Sequence, residues 1–248
     1  HGTSRRQRQM CIRDSLNTDI NDMEKLFKLT PHVLAAVNSK VNASTATAMG
    51  VIGAFEAFQK CSPCDLSNGV LVHGCGSVGS IVAAELIKKG IKTFVVDIDI
   101  RKTDIKGAIS LRNDKNWYRR NFDVIVPCSI SGLIDTNISQ FLLNTKAIIS
   151  AANAPFSNHT IPEKLKSLKV DIIPDPLVNA GAVIADSIEK YAPAKWNNTI
   201  PEKVYGFVKN EVRKKCFAYL SLEQSGLSSQ EILEIMQNQK QYIIGELF

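Results

Sequence analysis

The sequence predicts an α/β protein with a doubly wound parallel sheet and C-terminal helices, and three observations carry that expectation. From Gly69 to Pro176, apolar segments of strand length alternate with helical segments. Such an order closes as parallel strands joined by right-handed crossovers, with helices on both faces of the sheet. The first strand runs directly into Gly74-Cys-Gly76-Ser-Val-Gly79, which opens an amphipathic helix, and from Ala180 onward the pattern is helical.

Taken in order, the first clear element is a helix over Ala43 to Lys60, where Met49, Ile52, Phe55 and Phe58 recur every three residues as one apolar face. CSPCDLSNG breaks it, and Gly69 to His73 follows as a short apolar run of buried-strand length. SIVAAELIKKG is an amphipathic helix that Gly90 closes as a C-terminal cap, and IKTFVVDID is the second strand. FDVIVPCS, TKAIISAANA and DIIPDP supply further strands, with helical stretches at Thr136 to Leu143 and PEKLKSLKV between them. A long helix from about Pro201 to Leu222 and a last one from Ser228 to Lys240 complete the pattern.

Composition narrows the function classes. The chain has 248 residues, 44% hydrophobic and 22% charged, enough to bury a substantial core. Its longest apolar runs, such as Ile81 to Ala84 and Ala182 to Ala185, fall far short of the roughly 20 residues of a membrane-spanning helix, so no membrane partner is expected. Four arginines against Asp14 place +3 of the formal +6 in the first fourteen residues. The other basic residues spread over helical patterns such as Lys88-Lys89 and Arg213-Lys214-Lys215, which read as solvated faces, and no nucleic-acid partner is expected.

Residues 1–14 lack the apolar stretch of an export signal and any periodicity, so they are expected to be a disordered arm or an end foreign to the domain. Six cysteines without such a signal point to reduced thiols and a cytoplasmic protein. Cys61-Ser-Pro-Cys64 has His73 as its only nearby additional ligand candidate and lacks the strand-to-helix context of a redox site, so these are expected to be loop thiols, with no metal.

The glycine motif gains its meaning from its context, a buried strand before it and a helix after it. Gly74 permits the tight turn, Gly76 lets the backbone approach a pyrophosphate, and Gly79 lets helix and strand pack closely, so that phosphates meet the helix N-terminus. Asp97 closes the second strand, where a carboxylate accepts hydrogen bonds from the adenosine ribose hydroxyls and repels a 2′-phosphate. The cofactor expected is therefore NAD rather than NADP, with Arg101 and Lys102 close enough to soften the discrimination.

Five segments in order now resemble one family, the amino-acid dehydrogenases of the glutamate, leucine, phenylalanine and valine group. Asn42-Ala-Ser-Thr-Ala-Thr47-Ala-Met-Gly50-Val resembles the entry into their cofactor domain, and VHGCGSVG their phosphate loop. Pro127-Cys128-Ser129-Ile-Ser-Gly132 resembles their PCALGG turn, Ala152-Asn153 the pair that faces the nicotinamide ribose, and Pro174-Asp175-Pro-Leu-Val-Asn179-Ala-Gly181 their PDYVINAGG segment. The resemblance implies reversible NAD-dependent oxidative deamination of an L-amino acid to a 2-oxo acid and ammonia. It implies cofactor contacts from Thr47, Gly74, Cys75, Gly76, Ser77, Val78, Gly79, Ser80, Asp97, Cys128, Ser129 and Asn153. Asn179 would reach the substrate head group, although an Asn before Ala-Gly can also cap the helix that follows.

The resemblance has limits. Thr18-Asp19-Ile-Asn-Asp22-Met23 resembles the stretch just after the family's catalytic Asp, and aligning it puts Ser15 where that Asp would stand. Nothing here matches the family's glycine pair and two lysines, which bind the carboxylate and act as general base. The expectation is thus a remnant of the catalytic domain and its connection over 15–41, an NAD-binding domain over 42–200 and C-terminal helices over 201–248, in a fragment that binds cofactor and turns over poorly. Ala182, Val183 and Ile184 fit a hydrophobic substrate better than glutamate, and the parent enzyme is expected to be a homo-oligomer. Two readings stay open at this point: a non-catalytic nucleotide-binding module, and an oxidoreductase of an alcohol or hydroxy acid.

Overall fold

A computed structural model of the chain describes residues 39–238 together with 24–25 and 28–29. The expected arm at 1–14, the stretch Thr18 to Met23 and the end of the last helix beyond Asn238 lie outside the described residues. Six strands form one sheet: β1 (Val70–His73), β2 (Thr93–Val96), β3 (Ile109–Ser110), β4 (Val124–Pro127), β5 (Ala147–Ile149) and β6 (Asp171–Ile173). Their order is β3-β2-β1-β4-β5-β6 and every pairing is parallel, with Val70 of β1 facing Thr93 on one side and Val124 on the other. Winding outward from β1 in both directions makes this the doubly wound α/β fold, and it puts the topological switch point between β1 and β4.

The two faces of the sheet divide the core residue by residue. Val70 and Val72 of β1, Val124 and Val126 of β4, and Ala147 and Ile149 of β5 belong to one apolar cluster, whereas Leu71, Ile125 and Ile148 belong to the other. Side chains of a strand alternate between faces, so a strand covered on both sides must be apolar throughout, as these are. The first face is covered by α1 (Ala43–Cys61), α2 (Gly79–Lys88) and α8 (Pro201–Gln224), through residues such as Phe58, Leu86 and Cys216. The second is covered by α3 (Thr136–Ser139), α4 (Thr160–Ser167) and the loops around them, through Trp117, Phe122, Ile134, Leu142, Ile161 and Leu165.

Helix α1 departs from its expected single stripe. Asn42 caps it by accepting from Thr45 N at 3.0 Å, and Ile52, Phe55 and Phe58 are buried, but so are Ala48, Val51, Ala54 and Ala57, while Met49 is only half-buried. The reason is α8, which lies so close that a Cβ on Gly53 would stand 2.3 Å from Lys209 O. One turn away, a Cβ on Gly50 would stand 2.8 Å from Val178 O. A helix with neighbours on several sides has no solvated face to leave polar.

Helix α2 ends as its sequence indicates, with Gly90 in the left-handed conformation at φ +75°. Strand β3 was not foreseen. It is a two-residue exposed edge held by Leu111 N to Val95 O at 2.8 Å and Asp97 N to Arg112 O at 3.0 Å, too short to show periodicity. Beyond β6 come α5 (Asp175–Val178), α6 (Gly181–Tyr191), α7 (Pro193–Asn197), α8 and α9 (Ser229–Asn238). Lys166 of α4 fastens the last of these, donating at 2.8 Å to both Tyr219 Oη and Ser229 Oγ and pairing with Glu223. Among the described residues no helix is long and apolar enough to cross a membrane.

Candidate functional site

All the expected cofactor residues that follow a strand gather at the carboxyl ends of the strands, where a doubly wound sheet opens a crevice. The phosphate loop leaves β1 at Gly74, whose φ of +94° only glycine adopts without strain, and whose N–H donates to Val96 O at 2.8 Å. Three glycines have three different surroundings. A Cβ on Gly74 would stand 2.7 Å from Ser129 Cβ, and one on Gly79 would stand 1.9 Å from Gly74 O and 3.1 Å from Cys128 Cβ. A Cβ on Gly76 would meet no atom within 4 Å. The outer two glycines are therefore needed by the fold, whereas the middle one faces open space above the N-terminus of α2.

That open space is where the residues fit a dinucleotide. Ser77 is exposed, Val78 begins α2 without any side-chain cap, and Ser80 Oγ turns back to Gly76 O at 2.8 Å. Ser80 N already donates to Gly76 O at 3.1 Å and Val82 N to Val78 O at 3.0 Å, so the helix dipole and the loop N–H groups before them are what favour an anion here.

Asp97 proves to be more than a ribose acceptor in waiting. It is 9% exposed, its Oδ2 accepts from Cys75 N at 2.6 Å, and its Oδ1 accepts from Asp99 N at 2.8 Å. It ties the end of β2 to the phosphate loop, and each oxygen retains further acceptor capacity. Cys75 itself is turned inward, with Sγ 3.8 Å from Val96 O, and burial pushes its thiol up to about 11. Burial pushes the Cys128 thiol up as well. Both cysteines stay protonated at neutral pH and act as walls of the loop, not as nucleophiles.

The turn after β4 packs across the loop through Cys128 and Ser129, and Cys128 N donates to His73 O at 2.7 Å. Ser129 Oγ is hydrogen-bonded to His73 Nδ1 at 2.8 Å, and the His73 ring meets Trp117 edge-on with centroids 5.0 Å apart. In the sequence His73 reads as the end of an apolar strand and as a nearby ligand candidate for Cys61 and Cys64, not as a partner of Ser129. Burial drives its pKa down to about 4, so the ring is neutral and holds the Ser129 hydroxyl in one place.

The segment after β5 reaches the same edge. Ala151 N and Ala152 N both donate to Pro127 O, at 2.9 and 3.0 Å, which sets Asn153 beside the turn that carries Cys128 and Ser129. Asn179 Nδ2 donates to Asn153 Oδ1 at 2.8 Å and to Ala151 O at 3.3 Å. Asn179 does not cap the next helix, because Ala180 is the N-cap of α6 and makes no side-chain cap bond. Ser131 Oγ donates to Asn153 O at 2.8 Å, and Asp175 Oδ2 accepts from Ala154 N at 3.0 Å, so the strained Ala154 (φ 46°) is held from two sides. Thr47 joins through α1, since a Cβ on Gly181 would stand 2.9 Å from Thr47 Cα.

Elsewhere, Cys61 ends α1 and donates to Phe217 O at 3.8 Å, and burial raises both its thiol and that of Cys64. Among the described residues no cluster of three or more His, Cys, Asp or Glu is placed to hold a metal ion.

Fold and loop together define a Rossmann-like α/β domain. The family model for Glutamate/Leucine/Phenylalanine/Valine dehydrogenase matches residues 95–229, more than half of the chain, and the chain belongs to that family. Phenylalanine dehydrogenase of Caldalkalibacillus thermarum (strain TA2.A1) is 35% identical over 133 residues, which are 50% of this chain and 35% of that protein. Leucine dehydrogenase of Bacillus subtilis (strain 168) is 26% identical over 247 residues, 93% of this chain and 66% of that protein. Among solved structures, L-tryptophan dehydrogenase from Nostoc punctiforme superposes with a TM-score of 0.68 at 19% identity, covering 87% of this chain and 62% of that one. The hetero-hexameric glutamate dehydrogenase from Thermus thermophilus gives 0.67 at 19% identity, covering 92% and 64%. These structural likenesses show the fold, and the chain spans less than two thirds of the length of each of these four proteins.

Proposed function

We propose that the protein is an NAD-dependent amino-acid dehydrogenase acting on a hydrophobic L-amino acid, with the described residues forming its cofactor side. The observation that supports this most directly is the hydrogen bond between Asn153 and Asn179, set beside the phosphate loop through Pro127 O. A module that only bound a nucleotide would have no use for a second amide at that edge, next to the first. NAD held there would supply the hydride acceptor for oxidation at the amino acid's α-carbon.

The chain's own residues divide the remaining tasks. The open face at Gly76 and the first turn of α2 receive the pyrophosphate. Asp97 accepts from the adenosine ribose, Ser129 and Asn153 orient the nicotinamide end, and Asn179 turns toward the amino-acid head group. Beyond it, Ala182 is buried and Val183 stands 54% exposed, an apolar surface suited to a hydrophobic side chain. No residue in this reading takes the part of the family's basic lysines, so these 248 residues should bind NADH and turn over poorly. The reading includes residues 42–200 as the cofactor domain, 201–248 as its C-terminal helices, and a cytoplasmic enzyme that assembles as a homo-oligomer.

Calorimetric titration with NADH and NADPH tests it. Saturable NADH binding, weaker NADPH binding, and loss of affinity in Asp97→Asn are expected; the variant keeps an acceptor oxygen for Cys75 N–H but loses the charge and the acceptor for Asp99 N–H. Tighter NADPH binding would overturn the cofactor assignment, and no binding of either would overturn the reading.

A further inference from the structure

The residues just past Asp97 resolve a conflict that the sequence left standing, namely two cations beside a site expected to reject phosphate. The chain turns through a short 3-10 helix, Ile100–Thr103, with Asp99 as its N-cap. Asp99 Oδ1 accepts from Arg101 N at 3.1 Å and from Arg101 Nε at 2.9 Å, and Asp99 Oδ2 accepts from Arg101 Nη2 at 2.8 Å. The Arg101 guanidinium is thus gripped side-on by a carboxylate two residues away. The same carboxylate's backbone N–H is bonded to Asp97 Oδ1 at 2.8 Å, so the clamp is fixed to the ribose-facing residue itself.

We propose that Asp99 is a cofactor-specificity residue, which withholds the Arg101 guanidinium from the 2′-phosphate of NADPH. The inference rests on the proposed NAD reading and adds to it a second residue beside Asp97. A guanidinium binds a carboxylate or a phosphate through the same planar fork, so Asp99 and an incoming 2′-phosphate compete for one group. Asp99 has the advantage of being attached. Arg101 holds the Asp99 carboxyl down at about 2, so this competitor is charged at every pH at which the protein works. Local charge adds to the effect: Asp97 and Asp99 balance Arg101 and Lys102, and neutralising Asp99 would leave the rim with a net positive charge. An exposed ion pair contributes little to stability, so the clamp has its consequence in recognition and not in folding.

The test is titration of the full chain with NADH and NADPH in three forms: unaltered, Asp99→Asn, and Asp99→Asn combined with Arg101→Ala. Asn is as good an N-cap as Asp, so the turn is retained. In Asp99→Asn the NADPH-to-NADH affinity ratio should rise about tenfold, the worth of one charge-assisted contact at a screened site. NADH affinity itself should stay within about twofold, and adding Arg101→Ala should return the ratio to its starting value. The gain should also shrink as salt is raised. An unchanged ratio in Asp99→Asn with NADH binding intact would overturn the inference alone. A raised ratio that survives Arg101→Ala would overturn it too, by assigning the effect to Lys102. Failure of the unaltered chain to bind either cofactor would remove the underlying functional reading.

Discussion

Gly76→Ala is expected to leave the melting temperature within about 2 °C of the unaltered chain and to weaken NADH binding at least thirtyfold, whereas Gly79→Ala should damage the fold itself. The contrast follows from what a single methyl group would meet. At Gly76 it would touch no protein atom within 4 Å, and the residue does not have the positive φ that penalises a side chain. An Ala there even restricts the unfolded chain slightly. The same methyl would occupy the space through which a pyrophosphate must approach the loop, costing about 2 kcal/mol or more of binding. At Gly79 the methyl would stand 1.9 Å from Gly74 O, a backbone atom that cannot swing away. The helix must then back off from β1, an overpacking cost of about 3 kcal/mol, or roughly 10 °C in a chain of this size. Circular dichroism melts beside calorimetry separate the two. Normal NADH affinity in Gly76→Ala would mean that the phosphates lie elsewhere, and a stable Gly79→Ala would contradict the packing of α2 on β1.

That pair of glycines also shows why the phosphate loop could be read from sequence. Its geometry is local: a buried strand, a left-handed turn and a helix start within a few residues, and each constraint leaves a mark on the residues that bear it. The strands were legible for a related reason, since burial on both faces forces the continuous apolar runs seen at Val70 to Val72 and Val124 to Val126. The bounds were less so. Of IKTFVVDID only Thr93–Val96 is strand, and of TKAIISAANA only Ala147–Ile149, because the flanking residues leave the sheet to build the crevice.

What stayed hidden depends on contacts between distant segments. The sequence of α1 shows a period-three stripe but cannot show that α8 covers another side, although Gly50 and Gly53 are the trace that a close neighbour leaves. Asp97 was assigned to the ribose from its place at a strand end. Its bond to Cys75 N, a residue of the preceding loop, follows from how β1 and β2 pair and not from any pattern in the chain. For Asn179 two roles were compatible with the sequence, and only the position of β5 beside β6 decides against the cap and for the neighbourhood of Asn153. The sequence offered His73 only as a strand end and a ligand candidate for Cys61 and Cys64 and gave no sign of its place here, since its partners Ser129 and Trp117 come from the far side of the switch point and from a segment without strand periodicity.

His73 should make the chain acid-sensitive well above the carboxylate range. Its folded-state pKa is about 4, lowered from 6.5 by desolvation, so the unfolded chain takes up a proton in a pH range where the folded chain does not. Stability therefore falls as pH falls from about 6.5 toward 4, and does not change further from this cause once both states are protonated. At 1.36 kcal/mol per unit of pKa difference, the loss should reach about 2 kcal/mol at pH 5 and about 3 kcal/mol at pH 4. The Asp97 carboxylate opposes the shift but does not overcome it, because the ring lies behind the loop against Trp117, away from solvent. Urea unfolding between pH 7 and 5 is the window to use, since the depressed carboxyls of Glu56, Asp99 and Glu231 titrate below it and the Asp171 carboxyl, raised by burial, works in the opposite sense, adding stability as pH falls. His73→Gln retains a partner for Ser129 Oγ without a titrating ring, so its stability should be nearly flat across that window, whatever its value at pH 7. A variant that lost as much stability as the unaltered chain would show that some other group carries the acid sensitivity and that His73 is less deeply desolvated than its contacts indicate.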